Sequence, residues 1–166
     1  LITKMTSKRI IEIILNDISN LNIGRFDYYY IPHRSDFTRA ITKSIVDTCS
    51  KLDLEIILEY NVEVSEDILK DYKRLKNGYT DVVIRNDLDK DIAIEIDSSF
   101  KKWSYKKLEI LNKKGMYSTW FVWKRKVPGK ELKWKDPIEL GFTNEKIHLM
   151  THTFYADEEK LHTTPK

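Results

Sequence analysis

Three carboxylates carry the strongest chemical signal in the sequence. In the run Ile92-Ala93-Ile94-Glu95-Ile96-Asp97, the isoleucines fall on one side of an extended chain, and Ala93, Glu95 and Asp97 fall on the other. Both faces of a strand inside an α/β domain are normally covered, and a covered acid costs several kcal/mol unless something pairs with it. A cation would do so. Asp81 lies near the start of the preceding apolar run, and if the two runs pair as a hairpin it comes beside Glu95. Acids gathered in this way suit Mg²⁺ or Mn²⁺, hard ions that take carboxylate, water and phosphate oxygens. Such an ion polarises a phosphoryl oxygen and acidifies a water for in-line attack. On residue pattern alone the alternative stays open, with Asp81 a turn residue and Glu95 and Asp97 lining a solvent-facing side.

The surrounding periodicities predict the elements that must position these acids. Ser7–Leu21 has isoleucines at three-and-four spacing and reads as an amphipathic helix. Asn22–Pro32 reads as a connection or short edge strand, and a second helix is predicted from about Ser35 to Lys51, capped by Ser35 or Asp36. Leu54–Val64 has the β-branched content and alternation of a strand, and Ser65–Asn77 reads as a charged helix stopped by Gly78. Strands are predicted over Tyr79–Arg85 and Asp91–Asp97 about a turn at Asn86–Lys90. A helix capped by Ser98 or Ser99 then runs to about Lys114, and a strand spans Tyr117–Lys124. The tail contains Pro128, Gly129 and Pro137, and is predicted to hold a short strand at Ile147–Phe154 and, over the polar stretch Ala156–Lys166, a mobile end.

This order predicts one α/β domain with a central mixed sheet flanked by helices, in α-β-β-β-α-β order. Residues 1–35 form an N-terminal helix and connection, 36–126 the core, and 127–166 a C-terminal extension of the same domain. The 166 residues are enough for one buried core, and 33% charged residues against 41% apolar ones exclude a membrane-embedded chain. No apolar run approaches the roughly 18 residues of a spanning helix, so cytoplasmic residence without membrane contact is expected. Cys49 is the one cysteine, which excludes an internal disulfide and marks a small core residue.

The sequence Tyr79-Thr80-Asp81-Val82-Val83-Ile84, a turn, and then Ile92-Ala93-Ile94-Glu95-Ile96-Asp97 resembles the PD-(D/E)XK, or restriction-endonuclease-like, nuclease superfamily. The resemblance spans about Phe37–Lys124, including the element order. Ile94–Ser99 followed by Trp103–Leu108 is similar to small nucleases carried by phages and mobile elements. The resemblance implies a Mg²⁺- or Mn²⁺-dependent DNA endonuclease with Asp81, Glu95 and Asp97 as metal ligands. It departs from the family at Asp97, where a lysine is usual. Some relatives carry an acid there and remain active, which leaves Asp97 as a second metal ligand or as the group that orients the attacking water. In others the lysine comes from the following helix, where Lys107 lies at three-and-four spacing with Phe100, Trp103 or Ser104, and Leu111. Glu59, or Glu63 on the same strand, could complete the cluster, because the family often has an acid upstream.

The net charge of +3 says little about partners, but its distribution says more. Lys101, Lys102 and Lys106, with Lys124, Arg125 and Lys126, form a candidate phosphate-binding surface, the alternative being a solvated helix face. A duplex cutter needs two active sites, so a homodimer is expected, with Ser7–Leu21 either as its interface or as a cover for the core. His148 and His152 could hold zinc only on a helix, and their segment reads as a strand. The competing function is a catalytically inactive nuclease-fold module that binds nucleic acid or a protein partner.

Overall fold

A computed structural model of the chain describes residues 5–21, 23, 25–26 and 30–156. The polar end beyond Ala156 and most of the tyrosine-rich connection lie outside the described residues. The helices are α1 (Ser7–Ser19), α2 (Arg34–Lys51), α3 (Glu66–Asp71) and α4 (Lys102–Lys113). The strands are β1 (Arg25–Phe26), β2 (Ile56–Val62), β3 (Gly78–Ile84), β4 (Ile92–Asp97), β5 (Tyr117–Lys126) and β6 (Ile147–Ala156). They form one mixed sheet in the order β1-β6-β5-β4-β3-β2. β2, β3 and β4 are antiparallel neighbours, whereas β4, β5, β6 and β1 run parallel.

Strand alternation divides the core into two layers. On one face, Ile10, Ile14 and Ile18 of α1 and Phe37, Ile41 and Ile45 of α2 bury themselves against Val82, Ile94, Phe121 and Trp123. Cys49 belongs to this layer, and burial pushes its thiol up to about 11. On the other face, Leu108 and Leu111 of α4 pack on Val83, Ala93, Trp120 and Val122. The apolar face of α1 is therefore spent within the chain. Its first turn is fastened to the β3–β4 turn, where Ser7 N donates to Asp89 Oδ2 at 2.8 Å and Asn86 Nδ2 donates to Ser7 Oγ at 3.2 Å.

Several boundaries differ from those predicted. α2 starts beyond His33, whose backbone N–H donates to Asp36 Oδ2, so Asp36 caps from the third helical position. α3 is a short helix closed at Tyr72, because Lys73 turns to φ 53, and Gly78 is the first residue of β3 rather than a helix stop. α4 starts after Lys101, not at Ser98 or Ser99. The predicted short strand near the end is the ten-residue β6, paired with β5 from Ile147 to Tyr155. Among the described residues, no helix is long and apolar enough to cross a membrane.

Candidate active site

The site forms where β3 parts from β4. Their ladder pairs Ile84 with Ile92, Val83 with Ala93 and Val82 with Ile94, and goes no further. At the next rung the Asp81 side chain replaces backbone pairing, Oδ2 accepting from Ile96 N at 2.7 Å. β2 changes at the same level. Ile57 and Tyr60 both pack toward the α4 face although three residues apart, so alternation slips between them, at Glu59 with φ 52. β3 slips with it, since Val83 and Gly78 both face α4. Thr80, the cross-strand partner of Tyr60, is thereby brought to the α4 face, where its hydroxyl donates to Glu95 Oε1 at 3.0 Å.

Glu95 and Asp97 share the α4 face, beside Trp120 and Val122 respectively. Only Glu95 joins Asp81. Burial raises the Asp81 carboxyl above its ordinary value, against the opposing pull of the Ile96 N–H and of a hydrogen bond shared with Glu95. Glu95 is 2% exposed and pushed up to about 8, first by burial and then by the Asp81 charge. Lys107 pulls it the other way without prevailing. The Lys107 Nζ lies 2.5 Å from Glu95 Oε1 and donates to the Tyr79 carbonyl at 2.6 Å, so two elements hold the ammonium in place. Gly78 makes room for it, because a methyl there would come within 2.8 Å of Lys107 Cδ and 2.9 Å of Trp103 Cζ2.

The remaining predicted residues stand outside this cluster. The Asp97 carboxylate is held elsewhere, accepting from Trp120 Nε1 at 2.9 Å and lying 3.1 Å from Lys101 Nζ. Glu59 is exposed at the kink and Glu63 is exposed beyond it. Among the described residues, no three His, Cys, Asp or Glu side chains gather as a metal-ligating group; the Asp81 and Glu95 carboxyls meet, and the Asp97 charge acts on both from its place beside Trp120. Mg²⁺ commonly takes only one or two protein carboxylates and keeps several waters, which two desolvated, closely placed carboxyls fit.

Of the predicted phosphate-binding cations, Lys102 is exposed and Lys106 half-buried, but the second group is engaged internally. Arg125 donates to the Pro32 carbonyl at 2.6 Å, Lys126 Nζ to the Val127 and Lys130 carbonyls, and Lys124 Nζ lies 5.3 Å from the centre of the Trp134 ring. His148 and His152 lie on strand β6, His148 stacked on Tyr117, and burial lowers both pKa values. Trp120 also lines a recess of about 370 Å³ with Tyr105, Phe142 and Leu149, into which neither Asp81 nor Glu95 opens.

Sequence reasoning passed over Thr80 and the Tyr79 carbonyl. Regular alternation sends Thr80 to the opposite face, and no residue type announces the slip that brings it back. Comparison with protein-family models, curated proteins and solved structures finds no match for this chain.

Proposed function

We propose that this chain is a nuclease with a restriction-endonuclease-like core, hydrolysing phosphodiester bonds in DNA with Mg²⁺ or Mn²⁺ held by Asp81 and Glu95. The observation that carries this reading is the junction itself: the half-buried Asp81 and buried Glu95 carboxyls, both with raised pKa values, meet where a strand ladder opens, with a lysine beside them. Perturbed acids packed together cluster at functional sites, where burial and like charges are arranged to shift them. A divalent ion there would supply Lewis-acid polarisation and an acidified water.

The chain's own residues divide the remaining work. Asp81 is aimed by the Ile96 N–H, and Glu95 by the Thr80 hydroxyl. Lys107 takes the place of the lysine missing at position 97, its ammonium near enough to Glu95 to stabilise negative charge developing on a phosphate. Asp97 is a positioning residue that ties β4 to Trp120 and to the start of α4.

One observation favours the second reading, a nuclease-fold module that binds without cutting: the ammonium that would serve catalysis is already bonded to Glu95 and Tyr79. Plasmid relaxation separates the two. Cleavage with Mg²⁺ or Mn²⁺ that disappears in Asp81→Ala and in Glu95→Ala supports the enzyme. DNA binding without metal-dependent cleavage supports the module.

A further inference from the structure

The turn between α3 and β3 is the part of the surface that the site leaves unexplained. Lys70, Lys73, Arg74 and Lys76 fall within seven residues, and among the described residues no ion pair engages any of them. With Asp71 the one acid among them, residues 70–76 carry a net charge of +3, a local excess that attracts an anion. At the tip, between Arg74 and Lys76, the Leu75 side chain is 101% exposed. An exposed leucine is ordinary in itself, but here it stands at the tip of a positively charged turn, within reach of whatever the flanking Arg74 and Lys76 bind.

The turn is held in shape. Lys73 reverses the chain at φ 53, and Arg74 N donates to the Leu69 carbonyl at 2.7 Å. The Arg74 guanidinium lies 5.2 Å from the centre of the Trp103 ring, which Tyr72 approaches at 5.4 Å. Trp103 is one helical turn before Lys107, and both abut Gly78. A short chain of contacts thus runs from Arg74 through Trp103 and Gly78 to the lysine on Glu95.

We infer that this turn engages duplex DNA, with Lys73, Arg74 and Lys76 on phosphates and Leu75 as an apolar wedge at a base step. Proteins that deform duplexes commonly place such a side chain between base pairs, with cations beside it on the backbone. A single-strand platform would instead offer free aromatic faces for stacking, and here Trp103 is already occupied by Arg74 and Tyr72. The choice of DNA rests on the nuclease reading; the binding itself does not require cleavage.

The test uses EDTA, so that no strand is cut by a metal-dependent activity. A closed circular plasmid is relaxed by a metal-independent topoisomerase in the presence of the protein, and its linking number is read after deproteinisation. The parent protein is expected to leave a linking deficit. Leu75→Ala is expected to lose that deficit while binding duplex within about threefold of the parent, a change smaller than about 1.4 kcal/mol. Lys73→Ala with Lys76→Ala should flatten the log–log salt dependence of binding by about 1.8, or about 0.9 per phosphate contact. An unchanged slope, an equal deficit in Leu75→Ala, tighter binding to single strands, or no binding would each overturn the inference. A plasmid unwound in EDTA but never cut with Mg²⁺ or Mn²⁺ would retire the nuclease reading and keep the turn. Metal-dependent cleavage with an unchanged slope would do the reverse.

Discussion

The Lys107 ammonium lies 2.5 Å from Glu95 Oε1 although the two residues belong to different layers, one on the sheet and the other on the helix above it. The side chains are 8% and 3% exposed, so neither group has water as an alternative partner. This contact joins the carboxyl pair to the helix that covers it.

Removing the ammonium should have two separable effects. Lys107→Ala removes a buried donor from the Glu95 carboxyl and leaves the Tyr79 carbonyl without its partner, which is expected to cost about 1–3 kcal/mol in chemical denaturation. Single-turnover cleavage should fall more than tenfold with DNA affinity nearly unchanged, since a transition-state contact lowers turnover rather than ground-state binding. Gly78→Ala tests position without altering charge. Its methyl displaces Lys107 Cδ and Trp103, and cleavage should fall in the same direction. A parental rate in both variants would assign Lys107 to packing.

The pH dependence of stability follows from Glu95. Its folded pKa, about 8, stands above the ordinary carboxylate value, so the folded state holds a proton that the unfolded chain releases. Stability from this group is fully present below about pH 4.5 and is lost as pH rises to about 8. Metal-free protein should therefore lose stability across that window, and Glu95→Gln should flatten the loss. Thermal melts at matched ionic strength check this, and equal slopes in parent and variant would contradict it.

Much of this arrangement was legible in the sequence, and the exceptions have physical reasons. The alternation of Ile92–Asp97 placed Glu95 and Asp97 on one face, and the spacing of Lys107 with Leu111 placed the lysine over the sheet. The slip at Glu59 was not legible, because a positive φ at a residue other than glycine leaves no compositional trace. β3 slips at the same level, and Thr80 there turns toward Glu95. Nor could residue type show that Asp97 is bonded to Trp120, or that Arg125 and Lys126 are spent on backbone carbonyls. Those partners lie far along the chain or in loops, and only the folded packing brings them together.

Asp97 is expected to matter for folding more than for cleavage. Asp97→Asn keeps an oxygen for the Trp120 N–H and should retain cleavage within about threefold, well under the roughly 1.4 kcal/mol of a tenfold change. Trp120→Phe leaves the buried Asp97 oxygen without its donor and should cost about 1–3 kcal/mol of stability. Loss of cleavage in a folded Asp97→Asn protein would return Asp97 to the metal site.

If Asp81 and Glu95 hold a divalent ion together, Mn²⁺ binding followed by electron paramagnetic resonance will report it. The parent protein should bind one Mn²⁺, more tightly as pH rises toward 8, because the ion must displace the proton on Glu95. Asp81→Asn and Glu95→Gln should each abolish that binding in folded protein, while Asp97→Asn leaves it in place. Undiminished binding in either of the first two variants, or none in the parent, would show that Asp81 and Glu95 do not share an ion.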